Sequence, residues 1–251
     1  IPFRPDGGGE LIVPSVVIGK GPGGHRWLTV IDDAPVDLAV PPPPAPSAAS
    51  YTVRPATAVP TYLAAVAAAR DAVRAGHIDK AVIARCVEVL CDEPIDVYGV
   101  LLRLRSSFTA TYRYSIDGFI GASPELLVSR DGDIVRSHPL AGTTPRTGDP
   151  STDARLAAEL LASEKNQIEH RIVIDSILDT LLPLCSYLDW QPEASIIAVA
   201  NVQHLATLLE GRLSAPAPSV VDLANALCPT PALGGAPRAD ALALIDRVEG
   251  F

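Results

Sequence analysis

The sequence contains no methionine, few aromatic residues (5%) and only four cysteines. The cysteines, Cys86, Cys91, Cys185 and Cys228, form no C-x-x-C pair, and no histidine cluster has zinc-binding spacing. Three of them lie in apolar surroundings, so we expect buried free thiols in a reducing compartment. The chain begins without methionine and continues to Phe251 without a stop signal, so we expect that both ends of the natural protein are missing.

Long apolar runs and an excess of basic residues are also absent. No run reaches the roughly 18 apolar residues that span a bilayer, and no secretory signal pattern opens the chain. The net charge of -9 argues against broad binding to nucleic acid or to anionic membranes. A small anionic substrate is still compatible, because a pocket can be locally positive. We expect a soluble, cytoplasmic protein that binds a small molecule.

The common catalytic and nucleotide-binding signatures are missing as well. The sequence has no G-x-S-x-G elbow, no HExxH motif and no Walker A motif. The glycine runs at 7–9 and 19–24 precede no capped helix at phosphate-binding spacing. The common hydrolase and nucleotide signatures therefore give no indication of function.

What is present predicts an α+β fold with antiparallel sheets. Residues 81–90 form a β-branched apolar run, typical of a buried strand, and Asp131-Gly132 between two apolar segments predicts a hairpin. Residues 152–182 predict one long helix. Because strands come in hairpin-like groups rather than alternating with helices, a parallel sheet is disfavoured. The Pro-rich segment 41–50 predicts an exposed connector.

Two ionisable residues lie beside apolar strands. Lys80 precedes the apolar run, and Glu125 stands between Pro124 and another apolar segment. On local grounds each is more typical of a solvated strand end or edge. If they are buried, however, the pKa of the lysine falls and the pKa of the glutamate rises, so the first could act as a general base and the second as a proton donor.

A third carboxylate, Glu169, lies on the predicted long helix, angularly between Ile172 and Val173. A carboxylate on a mostly apolar helix needs a partner or a metal. Mg²⁺ suits such a site because it takes oxygen ligands, keeps waters and often uses one or two carboxylates. The alternative is an ion pair, for example with Arg171 or Arg85.

Two loops of small residues, at 139–143 and 229–237, let a ligand approach backbone N–H groups. Taken singly such loops are usually plain turns, and His204 at a strand start is equally ambiguous. Five segments taken together and in order resemble the chorismate-binding enzymes: GASPELL at 121–127, PLAGT at 139–143, LASEKNQIEH at 161–170, HLAT at 204–207 and PTPALGGAP at 229–237.

The resemblance covers roughly residues 55–251 and implies a single chorismate-binding domain of antiparallel β-sheets packed as a sandwich with helices outside. The family includes isochorismate synthases, salicylate synthases, and the large subunits of anthranilate and aminodeoxychorismate synthases. In having a lysine at position 80, the sequence resembles the members of the family that use water as the nucleophile. Water needs a base before it can attack carbon, whereas ammonia does not. An isochorismate synthase is therefore the leading hypothesis.

The resemblance also implies roles for individual residues. Lys80 would deprotonate the water that attacks C2 of chorismate, and Glu125 would protonate the leaving C4 hydroxyl. Mg²⁺ held by Glu169 would neutralise and orient the C1 carboxylate. His204 matches an active-site histidine near the ring. The remaining predicted substrate contacts are Gly142, Thr143 and Ala232.

Some features depart from the family pattern. In relatives a further stretch beyond position 251 supplies a second Mg²⁺ glutamate, an arginine and a lysine, so we expect weak or no activity from residues 1–251 alone. Asn166 stands where relatives often carry an acidic residue, which predicts lower metal affinity. The alternatives are a salicylate synthase, an ammonia-dependent synthase and a non-catalytic remnant. We expect a monomer, and the pathway it feeds (siderophore, menaquinone or salicylate) is not fixed.

Overall fold

A computed structural model describes residues 3–4, 7–39, 50–108 and 111–250. Almost all of the predicted connector at 41–50 lies outside these residues. Among the described residues, no helix is both long enough and apolar enough to cross a membrane.

The first half of the chain forms short strands and two helices. The elements are β1 (Val16–Lys20), a 3-10 turn (Pro22–Gly24), β2 (Arg26–Val30), β3 (Thr52–Pro55), α1 (Val59–Arg74), β4 (Lys80–Ala81), β5 (Val87–Leu90), α2 (Val97–Ser107), β6 (Tyr112–Ile116) and β7 (Phe119–Ser123). Strand β1 pairs with β2, β3 with β5, and β6 with β7, all antiparallel.

The second half carries the larger sheets. Its elements are β8 (Leu126–Asp131), β9 (Ile134–His138), β10 (Leu140–Pro145), α3 (Pro150–Ala162), α4 (Glu164–Leu181), a 3-10 turn (Leu182–Leu184), β11 (Cys185–Trp190), β12 (Ser195–Ala198), β13 (Val202–Ala206), β14 (Leu209–Leu213), α5 (Val220–Leu227), β15 (Gly235–Ala236) and α6 (Arg238–Glu249). One sheet has the order β11-β14-β9-β8 and another β10-β13-β12, while β15 pairs with β4. All these pairs are antiparallel, and the hairpin at Asp131-Gly132 is confirmed.

The main core lies between helix α4 and the four-stranded sheet. Val173, Ile177 and Leu181 recur every four residues, so they form one stripe along α4 and are fully buried. They pack with Val135 of β9 and Leu209 of β14, and α5 closes the same cluster. Each buried aliphatic side chain contributes about 1.5–3 kcal/mol. This packing fixes α4, which carries Glu169, against the sheets.

The prediction of one buried strand at 81–90 is wrong. Hydrogen bonding to β15 continues only to Val82, and β5 then starts at Val87. Between them the Ala84 N–H donates to the Glu249 carboxylate, at 2.6 Å. The β5 side chains are exposed, as at Val89 (50%).

The predicted long helix at 152–182 is also two helices. Ser163 (φ −76°, ψ 106°) leaves the helical conformation, and its hydroxyl accepts the Asn166 N–H to cap α4. A serine N-cap favours a new helix start at this point.

The cysteine prediction holds only in part. All four thiols are free, but Cys86 is exposed, and Cys185 and Cys228 are partly buried rather than buried.

Candidate active site

Lys80 is held in place by the short β4–β15 ladder. It pairs with Ala236, and the ladder continues on both sides through hydrogen bonds from Asp79 N–H to the Ala236 carbonyl and from Val82 N–H to the Gly234 carbonyl, each 2.8 Å. Gly235 lies so close to β4 that a Cβ there would overlap the Lys80 carbonyl oxygen. The pairing with β15 therefore fixes the backbone of Lys80, and this close approach of the two strands requires glycine at position 235.

Glu125 lies in the turn between β7 and β8. The Ser123 hydroxyl accepts the Glu125 backbone N–H at 3.2 Å, which closes the turn. The Glu125 carboxyl is largely buried and accepts a hydrogen bond from the Leu140 backbone amide. The turn thus points the carboxyl inward, and the surface-edge alternative does not apply.

A β-bulge at Gly142 shapes the opposite wall. The register between β10 and β13 shifts between Ala141 and Thr143, and Gly142 takes a positive φ of 81°. Beyond the bulge, Thr143 pairs with His204, and the Thr143 hydroxyl lies 2.9 Å from His204 Nδ1. A glycine is favoured here because a side chain at this φ is strained and because a Cβ would press on Leu205.

These elements enclose a cavity of about 260 Å³. Six of the seven residues predicted from the sequence lie in its wall: Lys80, Glu125, Gly142, Thr143, His204 and Ala232. They come from five separate segments of the chain. The lysine and the glutamate therefore line one cavity.

Burial shifts the pKa values of these two residues in opposite directions. Desolvation lowers the pKa of Lys80 below its ordinary 10.5, although the negative charges of Glu169 and Glu125 oppose this shift. Desolvation raises the pKa of Glu125 above 4.5, against the Leu140 amide and the charge of Lys80. The lysine is thus moved towards a neutral amine and the glutamate towards a protonated acid, as a base and an acid require.

His204 is tuned towards its neutral form. Burial lowers its pKa below 6.5, and the Gly142 backbone only partly opposes the shift. A neutral imidazole has one donor and one acceptor nitrogen. Nδ1 lies against the Thr143 hydroxyl, and the ring also hydrogen-bonds the Gly142 backbone, so two neighbours on β10 hold the imidazole at the cavity wall.

Glu169 lies on the wall of an adjoining cavity of about 1020 Å³, which runs between α1 and α4. Lys80 is in the wall of both cavities and so lies between them. Glu169 makes an ion pair with Lys165, whose Nζ lies 3.2 Å from Oε2. The ion pair that was the alternative to a metal is therefore present, but with a different partner: Arg171 pairs with Asp175 at 2.7 Å, and Arg85 lies over the Tyr62 ring.

The carboxylates that the structure describes near Glu169 are too few for a metal cage built by protein alone, so an Mg²⁺ ion bound there would keep much of its water shell. Within the described ranges no three His, Cys, Asp or Glu side chains are grouped to hold a metal. Glu164 lines the same cavity as Glu169. Mg²⁺ commonly binds through one or two carboxylates, with water and substrate completing its shell.

The sequence prediction missed two residues near the site. Lys165 lies one helical turn before Glu169, and this i,i+4 spacing was a usable signal. His170 is buried, its Nε2 lies 2.8 Å from the Thr207 hydroxyl, and desolvation lowers its pKa to about 4. No local pattern marked His170, because its partner Thr207 lies in the loop after β13, far away in sequence.

Comparisons with known proteins agree with this geometry. Residues 35–251 match the family model described as chorismate binding enzyme. The MenF protein of Mycobacterium tuberculosis is 40% identical over 214 residues, which cover 79% of this chain and 58% of the relative. Isochorismate synthase DhbC of Bacillus subtilis is 35% identical over 213 residues, with 80% and 54% covered.

A solved structure confirms the predicted fold. MenF, the menaquinone-specific isochorismate synthase from Escherichia coli, superposes with a TM-score of 0.74 at 26% identity. The match covers 86% of this chain and 50% of that structure. The chain therefore spans between half and three fifths of the length of these relatives.

Proposed function

Because the chain belongs to the chorismate-binding enzyme family, we propose that it acts as an isochorismate synthase, which converts chorismate to isochorismate with water. The observation that carries the proposal is the shared cavity of Lys80 and Glu125, whose pKa values are shifted in opposite directions. Relatives named isochorismate synthase support the same activity.

In the proposed reaction Lys80 takes a proton from a water molecule, and the water oxygen attacks C2 of chorismate. The ring double bond shifts as the C4 hydroxyl leaves, and Glu125 gives its proton to that oxygen. One water enters and one leaves, so the reaction is an isomerisation. Each group ends in the protonation state opposite to its starting one, and exchange with solvent restores both.

The opposite wall would hold the ring in place. The Thr143 hydroxyl orients the His204 ring through their hydrogen bond. The small residues Gly142 and Ala232 leave room for a ligand to approach the backbone. Orientation of this kind lowers the barrier because the water and C2 are held in reacting geometry.

We propose Mg²⁺ as the cofactor, with Glu169 as a ligand. Its positive charge would neutralise and orient the substrate's C1 carboxylate beside Lys80. The protein's own contribution is a carboxylate fixed on α4, whose buried stripe holds the helix against the sheet. The predicted monomeric state and cytoplasmic location stay predictions.

The test is product analysis of the whole polypeptide that the gene encodes, incubated with chorismate and Mg²⁺ in H₂¹⁸O. We expect isochorismate with one ¹⁸O atom at C2. Salicylate fluorescence without an added lyase would favour the salicylate synthase, and an aminated product on addition of ammonia would favour the ammonia-dependent synthase. An absence of any product at saturating Mg²⁺ would overturn the proposal in favour of the non-catalytic remnant.

A further inference from the structure

The ammonium of Lys165 lies beside one oxygen of the carboxylate that we take as the cation ligand. Its Nζ lies 3.2 Å from Glu169 Oε2, and both side chains line the larger cavity. A divalent ion within coordinating distance of that oxygen would lie next to the ammonium group. The two positive charges repel each other, so they compete for one carboxylate.

The Lys165 side chain can break its ion pair with Glu169 at little cost. The Lys165 side chain is 75% exposed, whereas that of Glu169 is 33% exposed. Lys165 precedes Glu169 in sequence, which is the weaker order for an i,i+4 pair, and such exposed pairs contribute little. When the pair opens, the long lysine side chain reaches solvent, while the carboxylate stays at the cavity wall.

The location of Lys165 gives no benefit to its own helix. It is the second residue of α4, and a positive charge in the first turn opposes the helix dipole. Replacing this lysine by a neutral residue is therefore expected to leave the helix as stable as before or slightly more stable. An effect of the replacement on cation binding can thus be separated from an effect on folding.

We propose that Lys165 is the internal counter-ion of Glu169, which a divalent cation must displace before it binds. This inference rests on the proposed function, since it takes Glu169 as the metal ligand. Lys165 neutralises the Glu169 carboxylate when no cation is bound, and it thereby raises the cation concentration that is needed to occupy the site. Removing its charge makes the site bind cations more tightly.

Helix α4 offers a matched control six residues further on. Arg171 pairs with Asp175 at 2.7 Å, again with the basic residue first and again largely exposed. Asp175 lines a different cavity from Glu169. Arg171→Gln therefore removes the same charge from the same helix without opening the Glu169 carboxylate.

The experiment measures binding of Mn²⁺ alone, by electron paramagnetic resonance of the free ion, at low ionic strength and without substrate. Lys165→Gln should bind Mn²⁺ about threefold more tightly than the unchanged protein, the scale expected for loss of one exposed ion pair. Lys165→Arg and Arg171→Gln should bind as the unchanged protein does. The gain of Lys165→Gln should shrink in 0.5 M KCl, because salt screens exposed charges. Circular dichroism checks that each variant is folded.

The outcomes separate the inference from the metal assignment. If Glu169→Gln weakens Mn²⁺ binding at least tenfold but Lys165→Gln binds no more tightly than the unchanged protein, the counter-ion role is overturned and Glu169 stays a ligand. An equal gain in Arg171→Gln also overturns the role, because it reduces the effect to general charge. If Glu169→Gln binds as well as the unchanged protein, or if no variant binds, the metal assignment itself fails.

Discussion

At the scale of single residues, the same physical cause acts on Lys80 and Glu125 with opposite sign. Desolvation disfavours the charged form of either group, so it lowers the pKa of the amine and raises the pKa of the carboxyl. Their mutual attraction works against both shifts, and burial is the larger cause in each case. Partial burial in one cavity thus shifts one group towards a base and the other towards an acid.

Replacing Lys80 by alanine should remove the base and leave substrate binding largely intact. We expect kcat for isochorismate formation to fall by about 10²–10⁴, the usual contribution of general base catalysis, with KM changed less than threefold. Steady-state kinetics of the whole encoded polypeptide measures both. Lys20→Ala, at an exposed lysine of β1, is the control, and retained turnover in Lys80→Ala would contradict the role of Lys80.

Replacing Glu169 by glutamine should raise the Mg²⁺ concentration needed for half-maximal rate by tenfold or more, because a neutral amide is a poorer ligand for Mg²⁺. Titration of the rate with Mg²⁺ measures the change. Asp175→Asn, which removes a carboxylate from the same helix, should leave the titration as it was. An equal effect in both variants would show general charge loss and not a ligand.

Glu125 was singled out by one of the five ordered motifs and Lys80 by the wider family resemblance over residues 55–251, yet the burial of the two side chains was not predictable. Each residue alone has the sequence context of a solvated strand end, and only the fold brings the 80 and 125 segments together. Lys165 was missed for a different reason. It lies in the same motif as Glu169, but the i,i+4 spacing only allows the two side chains to meet, and the structure is needed to show that they do.

At the scale of elements, the site depends on interruptions in regular structure. The break at Ser163 starts α4 anew, and the bulge at Gly142 interrupts β10 where Asn166 of α4 lies against it. The helix break was readable, because a serine followed by a polar first turn is a capping signal. The early end of the strand after Lys80 was not, because a distant carboxylate, Glu249, takes the Ala84 amide.

Gly142→Ala tests the bulge, with Gly132→Ala as a matched control. Both glycines have positive φ, 81° and 61°, so each substitution costs about 1–2 kcal/mol of backbone strain. A Cβ at Gly132 meets nothing within 4 Å, whereas at Gly142 it lies 3.2 Å from Leu205. We expect Gly142→Ala to be the less stable in urea unfolding and to lose chorismate turnover.

Gly132→Ala should keep its kcat/KM, since its turn lies away from the cavity. Equal stability and equal activity in the two variants would contradict the view that the bulge shapes the site.

At the scale of the whole molecule, the cavity exists only when distant segments meet. Its wall combines β4, the β7–β8 turn, β10, β13 and the loop before β15. No single segment can desolvate Lys80, so its lowered pKa is a property of the assembled fold. The α+β class followed from the order of strands, whereas this closure could be expected only through the family resemblance.

The assembled site predicts a bell-shaped dependence of kcat/KM on pH. Acid protonates Lys80 and removes the base, while alkali ionises Glu125 and removes the proton donor. Since the lysine pKa is lowered from 10.5 and the glutamate pKa raised from 4.5, both limbs should lie inside that interval. For each unit by which the pKa values of Lys80 and Glu125 approach each other, the fraction of enzyme with a neutral lysine and a protonated glutamate rises about tenfold. A profile flat from pH 5 to 10 would contradict this.

The fold desolvates Lys80 and thereby makes it a base, and a direct titration of the Lys80 side chain tests this most simply. Residues 1–251 hold three lysines, Lys20, Lys80 and Lys165, and the ¹³Cε signal of Lys80 in lysine-labelled protein is identified as the one that Lys80→Arg removes. We predict that the Lys80 signal titrates with a pKa below 10.5. A Lys80 pKa at or above 10.5 would contradict the account.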